Sequence, residues 1–348
     1  MEIQSSPSPV IISMRMRNHA GPSGYDRLID YIPCDVIMPP VALSLEQRAI
    51  AKVLKPLVNA AGSRWYHRDS LIAELNAAMK WCTGHGNVFH FLYGENSYWY
   101  LGHLKSLGRR KAIICTYHTP KKKFHQIVEN IQSIRRLDGV IVVSTVQRDI
   151  FSEIINPQRV FFIPHGIDVG FFKPPEVRGQ HDRYRCLFVG THLRDFDVLV
   201  AVTKMLRSKN IEFIVVTAKS EQERFSGLDN VTLLNSIDDN QLLHLYQTSD
   251  VLALPMTDST ANNTLLEAMA CGLPMLTTDL PAVRDYVDES CAIFCKKGDA
   301  QAFADGLIHL CDDDANRLRM SDACQKRVLL YSWERVAEQV LQLYSRVL

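Results

Sequence analysis

No apolar run in the chain approaches the ~20 residues that a membrane-spanning helix needs. Its start, MEIQSSPSP, is polar and proline-rich and lacks the basic-then-apolar order of a secretory leader. No two cysteines have CxxC spacing: the nine, Cys34, Cys82, Cys115, Cys186, Cys271, Cys291, Cys295, Cys311 and Cys324, are odd in number and scattered. They are expected to be reduced, mostly buried small hydrophobes of a cytoplasmic protein. Cys291 and Cys295 stand four apart with no second ligand pair, so no metal is expected there. An excess of either charge is missing too, since 39 basic and 38 acidic residues leave a formal net charge of +1. Nucleic acid is therefore not an expected partner, and any electrostatic role falls to local patches. A peripheral contact with the inner face of a membrane stays open. Short repeats and low-complexity tracts are absent as well.

What is present is 348 residues, 47% hydrophobic and 22% charged, the content of a globular chain with enough length for two domains. Val10–Met14 reads as a strand leading into the glycine-containing turn 18–24 and a helix over Tyr25–Tyr31. Further strands are expected at Val88–Tyr93, Ala112–Tyr117, Gly139–Ser144 and Val160–Pro164, with helices over Ser70–Trp81 and Lys122–Ile134. The stretch from Gly166 to Arg185, with Pro174-Pro175 and Gly179, reads as a linker. A second alternation follows: strands at Cys186–Gly190, Glu212–Thr217, Val231–Leu234 and Val251–Pro255, helices at Asp197–Arg207 and Asp239–Thr248. The expected fold class is α/β, with two Rossmann-like domains facing a central cleft. The first spans 1–166 and the second 167–332, with the amphipathic 333–348 available to pack back on the first.

The densest local pattern is Asn262-Asn263-Thr264-Leu265-Leu266-Glu267, continuing through Ala270-Cys271-Gly272-Leu273-Pro274. Asn262 to Thr264 offer an N-cap, Leu265–Ala270 a compact helical run, and Gly272 with Pro274 a stop. A helix starting at a cleft presents backbone N–H groups and the positive end of its dipole, which can receive a phosphate without a metal. Glu267 is expected in about the first turn, where a carboxylate reaches a ribose diol. An ordinary capped helix has the same punctuation, so the pattern alone does not decide.

The longer string DSTANNTLLEAMACGLPMLTTDLPAVRDYV, from Asp258 to Val287, resembles the donor-binding signature of the retaining, family 4-like glycosyltransferases (glycosyl transferases group 1), whose fold is GT-B. Glu267 matches the second of that signature's two glutamates, and Ala270-Cys271-Gly272-x-Pro274 and Thr278-Asp279 follow in register. Ser259, beside Asp258, stands where the first glutamate faces the donor sugar. Ile163-Pro164-His165-Gly166-Ile167-Asp168 resembles the family's hinge, and Thr116-Tyr117-His118-Thr119 the element whose histidine lies beside the transferred sugar. Leu187–Gly190 with Arg194 resembles the segment that grips the donor diphosphate.

The resemblance implies transfer of a glycosyl group from a nucleoside diphosphate sugar to an acceptor hydroxyl of a glycan, glycolipid or small molecule, with the anomeric configuration kept. His118 and Glu267 are then the catalytic-site residues. The donor is held by Gly190, Arg194, Ser259, Asn262, Asn263, Thr264, Leu265 and Glu267, with base recognition by backbone near Asn235–Ile237. Charge on the leaving diphosphate is met by the Asn263–Leu265 amides and Arg194, with no cofactor and no metal. Gly21-Pro22-Ser23-Gly24 reads as a turn that lets backbone approach the phosphate, placing Gly21 and Gly24 on the donor side. Tyr93, Glu95 and Asn96, at another strand end, suit a sugar acceptor; a buried strand with a polar exit turn explains them equally well. Lys121-Lys122-Lys123 reads either as a contact for an anionic acceptor or lipid head group or as a solvated helix start. A second reading is a non-catalytic nucleotide-sugar-binding paralogue or scaffold, suggested by Ser259; a GT-B-fold nucleotide-sugar epimerase is a lesser alternative, since the acidic and basic residues it needs over the sugar C2 find no place in the sequence.

Overall fold

The computed structural model describes residues 8–14, 21–39, 44–107, 111–177, 179 and 181–348; part of the expected turn, 18–20, and two linker positions, 178 and 180, lie outside them. The chain forms two compact units, one of 1–19, 24–165 and 333–348, the other of 20–23 and 166–332.

The first unit holds strands β1 (Pro9–Ile12), β2 (Asp35–Ile37), β3 (Val88–Phe91), β4 (Ala112–Tyr117), β5 (Gly139–Val142) and β6 (Val160–Phe162). They form one sheet in the order β2-β1-β3-β4-β5-β6, every pairing parallel. Every residue of β1, β3, β4 and β5 is buried, as expected of parallel strands covered on both faces. The helices here are α1 (Leu45–Val53), α2 (Lys55–Ala60), α3 (Arg68–Cys82), α4 (Gly94–Ser97), α5 (Lys121–Ile127) and α6 (Arg148–Ser152). The expected helix over Lys122–Ile134 is thus cut short. Val128 leaves helical geometry to bridge Ser63, and the Glu129 N–H donates to Gly62 O (2.7 Å), so tertiary partners take the bonds a longer helix needs. Tyr25–Asp30 winds as a 3-10 rather than an α-helix.

The second unit contains β7 (Tyr184–Val189), β8 (Ile211–Val216), β9 (Val231–Leu234), β10 (Val251–Leu254), β11 (Met275–Thr278) and β12 (Ala292–Cys295). Their order is β12-β11-β10-β7-β8-β9, again all parallel. Its helices are α7 (Phe196–Met205), α8 (Lys219–Gln222), α9 (Asp239–Thr248), α10 (Asn263–Ala270), α11 (Pro281–Arg284), α12 (Ala300–Asp312) and α13 (Asp314–Val328). Gly272, at φ 63°, takes the left-handed conformation that ends α10, and Ser321 Oγ holds its carbonyl (2.6 Å). The chain's entry into and exit from this unit run together, Ile167 N–H donating to Tyr331 O (2.9 Å).

The last helix, α14 (Trp333–Val347), belongs to the first unit. There the Tyr344 hydroxyl lies 2.7 Å from His90 Nδ1, while His90 Nε2 lies 2.7 Å from Thr116 Oγ1. Burial, followed by the charge of His118, pushes the His90 pKa down to about 3, so this ring is neutral at physiological pH. No helix among the described residues is long and apolar enough to cross a membrane.

Candidate functional site

In the second unit the winding reverses between β7 and β10, and in an open α/β sheet ligands gather at the carboxyl ends of the strands on either side of such a reversal. The loops that leave β7 and β10 are tied together. Arg194 bridges Met256, Asp195 N–H donates to Pro255 O (2.9 Å) and Thr257 N–H to Leu193 O (2.9 Å). Among the described residues the non-glycine positions with positive φ are Leu193 (59°) and Ser236 (52°), each just past a strand of this sheet. Such backbone costs about 1 to 3 kcal/mol per residue and concentrates where ligands are held.

Gly190, at φ 106°, ends β7, and a Cβ there would lie 2.7 Å from Arg194 Nη2. The missing side chain lets the guanidinium lie against the backbone. Its Nε donates to Val189 O (2.9 Å), Nη1 to His192 O (3.1 Å) and Nη2 to Thr264 Oγ1 (3.1 Å). Burial lowers the Arg194 pKa to about 10, with Tyr246 and Glu267 pulling the other way, so it remains a cation at neutral pH. That charge is fixed beside the first turn of α10.

Helix α10 starts at Asn262 without a side-chain cap; the Asn262 Oδ1 is buried and finds no partner among the described residues. Leu265 N–H turns back onto Asn262 O (3.1 Å). Of the three amides expected to face a phosphate, Leu265 is therefore engaged, and Asn263 and Thr264 keep the N–H groups that a helix start cannot satisfy internally. The Asn263 side chain donates to Ser23 O (2.9 Å).

Glu267 is the fifth residue of α10, just past its first turn, and it is buried. Its Oε1 accepts from Ser23 Oγ (2.5 Å) and its Oε2 from the Tyr246 hydroxyl (2.7 Å). Burial raises its pKa above the usual carboxylate range, while the Ser23 and Tyr246 hydrogen bonds pull it back. Gly21 departs from expectation: its N–H is taken by Asp239 Oδ2 (3.1 Å) and so does not await a phosphate. Gly24 lies in the first unit with φ −69° and ψ 145°, a conformation open to any residue. Ser259 is buried on its own loop, its N–H on Asp258 Oδ1 (2.9 Å) and its hydroxyl on Thr260 O (3.0 Å). The sequence reading missed Tyr246, Ser23 and Asp239, which surround Glu267 and Gly21. Tyr246 is buried on a helix with ordinary amphipathic spacing, and no local motif marks a tyrosine that serves a residue 21 positions away.

In the first unit the winding reverses between β1 and β3. His118 follows β4 and is half-buried; its Nε2 donates to Leu92 O (2.9 Å). Its ring lies 4.7 Å from those of Tyr25 and Tyr93 and 6.4 Å from that of His165, which sits 5.4 Å from Trp333. Tyr93 and Glu95, expected toward an acceptor, are instead buried within the unit. Helix α4 begins at Gly94, directly after β3, and turns Glu95 back onto the end of β4. There Glu95 Oε1 accepts from His118 N–H (3.0 Å) and Thr119 Oγ1 (3.0 Å). Burial raises the Glu95 pKa, against these hydrogen bonds. Its work is to hold the His118 turn; Asn96, half-buried, is the member of that trio nearest solvent.

Residues 183–313 match the family Glycosyl transferases group 1. D-inositol 3-phosphate glycosyltransferase of Corynebacterium urealyticum is 25% identical over 218 residues, 53% of this chain and 51% of that protein. Phosphatidyl-myo-inositol mannosyltransferase of Mycobacterium leprae is 25% identical over 253 residues, 68% of this chain and 67% of that one. The match thus spans about half of the first relative and two thirds of the second. Among solved structures, sucrose-phosphate synthase from Thermosynechococcus elongatus superposes with a TM-score of 0.71 at 18% identity, covering 98% of this chain and 99% of that one. HepE of Anabaena, crystallised with UDP, gives 0.72 at 14%, covering 97% and 100%. With these matches and two parallel α/β units in hand, the chain has the GT-B fold, and residues 183–313, in its second unit, match the group 1 glycosyl transferase family.

Proposed function

We propose that this chain is a retaining glycosyltransferase that moves a sugar from a nucleoside diphosphate sugar to an acceptor hydroxyl without a divalent metal. The observation that carries the proposal is the Arg194 guanidinium, locked across Gly190 and bonded to Thr264 at the start of α10. The barrier in such a transfer lies in breaking the anomeric C–O bond while charge builds on the departing diphosphate. A fixed cation and the Asn263 and Thr264 amides, positioned before the reaction starts, stabilise that charge with little reorganisation. Glu267 accepts the ribose hydroxyls; Ser23 Oγ already occupies one such position, so donor entry exchanges one hydroxyl for another on the same carboxylate. The strained Ser236 turn presents backbone to the base. His118, held by Glu95 and Leu92, is the first unit's candidate for binding a sugar hydroxyl. Names of the two relatives point to inositol-containing acceptors, one free and one lipid-borne, which supports an acceptor of that class within the broader set of glycan, glycolipid or small molecule.

The second reading, a nucleotide-sugar binder without transfer, is favoured by Ser259, whose hydroxyl is spent on Thr260 O where the family's first glutamate would stand. Proton NMR of candidate nucleotide sugars mixed with the protein in EDTA separates the two. The proposal expects release of a nucleoside diphosphate and a product with the donor's anomeric configuration. Binding without cleavage would assign the chain to the second reading, and a C2-inverted sugar to epimerisation.

A further inference from the structure

Apolar side chains of the first unit are turned outward where its two surface helices meet. Among the residues whose burial is described, α1 and α2 have no buried one, and Leu45 is 82%, Val53 76%, Ile50 46% and Leu57 40% exposed. These helices are not loosely specified. Ser44 Oγ accepts from Gln47 N–H (3.2 Å) while Gln47 Oε1 accepts from Ser44 N–H (3.0 Å), a reciprocal cap that fixes where α1 begins. Leu54 N–H donates to Ile50 O (2.9 Å) and Val58 N–H to Leu54 O (3.4 Å), so the turn between them stays nearly helical. Leu54 and Val58 lean on Tyr66, Leu71 and Trp99, and the Tyr100 hydroxyl donates to Leu57 O (2.6 Å), which sets the inward side.

The two outward sides differ in chemistry. Ile50, Val53 and Leu57 recur at helical spacing and form an apolar stripe, and Arg48, Lys52 and Lys55 recur at helical spacing and form an exposed basic one. From 44 to 70 the chain holds five basic residues, Arg48, Lys52, Lys55, Arg64 and Arg68, against two acidic ones, Glu46 and Asp69. Trp65, 40% exposed, follows closely, a side chain that favours the boundary between water and acyl chains. Exposed large apolar side chains on one side and basic ones on the other, on a capped helix, are the makings of an element that lies in a membrane interface rather than across it.

We propose that α1 and α2 dock the first unit onto the surface of an anionic bilayer, with Ile50, Val53 and Leu57 at the acyl boundary and Lys52 and Lys55 among the head groups. A second copy of this chain fits the same face poorly. A symmetric contact sets the same surface against itself and brings like charges together. An anionic lipid surface satisfies both stripes at once. The proposal goes beyond the reaction and holds whatever sugar is moved.

Cosedimentation of the full chain with vesicles of phosphatidylcholine, alone or mixed with phosphatidylglycerol, tests this docking. Binding is expected to the mixed vesicles only and to weaken with salt. Lys52→Gln and Lys55→Gln should each lower the partition coefficient by about fivefold, and Ile50→Glu with Val53→Glu should abolish binding. The rise in melting temperature caused by the best nucleoside diphosphate, measured on each variant, reports whether it is folded and whether its donor site is intact, so a failure of docking is distinct from a failure of the proposed reaction. No binding of the wild type to mixed vesicles, or binding unchanged in Ile50→Glu with Val53→Glu, overturns the proposal. So does a concentration-dependent dimer in analytical ultracentrifugation that those two substitutions dissolve, since it gives the face to a second copy.

Discussion

Glu267 and Arg194 sit in one network, and what each contributes is set by small neighbours. The Tyr246 hydroxyl bonds Glu267 Oε2 and draws down a carboxyl pKa that burial raises. Tyr246→Phe removes that hydrogen bond and leaves a buried oxygen unpaired, at a cost of about 1 to 3 kcal/mol in folding stability. It also raises the Glu267 pKa further. Because the ribose diol needs an ionised acceptor, diphosphate binding followed by calorimetry against pH should rise at higher pH in Tyr246→Phe than in the wild type. An unshifted profile would mean that Glu267 does not meet the ribose. Gly190 is the second such neighbour. Gly190→Ala places a methyl in the path of the guanidinium at a φ of 106° that alanine avoids. Chemical denaturation should show a loss of about 1 to 3 kcal/mol, together with weakened diphosphate binding.

Among the elements, β3, β4 and α14 are joined through His90, which bonds Thr116 and Tyr344 at once. The pH dependence of this joint has a definite sign. His90 titrates at about 3 when folded and at 6.5 in an ordinary setting. Between those values the unfolded chain holds a proton that the folded chain refuses, so the stability contributed by neutral His90 is complete above 6.5 and lost as pH falls toward 3. The slope for one proton is at most about 1.4 kcal/mol per pH unit. Glu74 and Glu95, raised by burial, have the opposite sign, their contribution being present at low pH and lost as pH rises through their folded values. Urea denaturation of wild type against His90→Gln isolates the histidine: the stability gap between them should narrow from pH 6.5 downward, and a constant gap would contradict the assignment. These elements also show what a sequence discloses. Strands β3, β4 and β5 are largely apolar runs, broken by His90 and Thr116, and buried parallel strands announce themselves that way. Strands β11 and β12 are not among those expected from the sequence, and α5 ends early because Gly62 and Ser63, about 65 positions back, capture its continuation. The site divides likewise. Arg194, Asn263, Thr264 and Glu267 are local motif residues, whereas the Ser23 and Tyr246 bonds to Glu267 and the burial of Glu95 arise from long-range packing that no spacing encodes.

At the scale of the whole molecule, the chain repeats one solution: a parallel sheet whose winding reverses once. The second unit places there a cation, two unsatisfied helix amides and a buried carboxylate; the first places a histidine among aromatic rings. In the proposed reaction the second unit receives the donor diphosphate without a divalent ion. Calorimetric titration of the full chain with nucleoside diphosphates in EDTA, repeated with added magnesium and on Arg194→Ala, measures this directly. The account predicts that one diphosphate binds in EDTA, that magnesium leaves its affinity unchanged, and that Arg194→Ala weakens it at least about tenfold. Binding that appears only with magnesium, or that is untouched by Arg194→Ala, would contradict it.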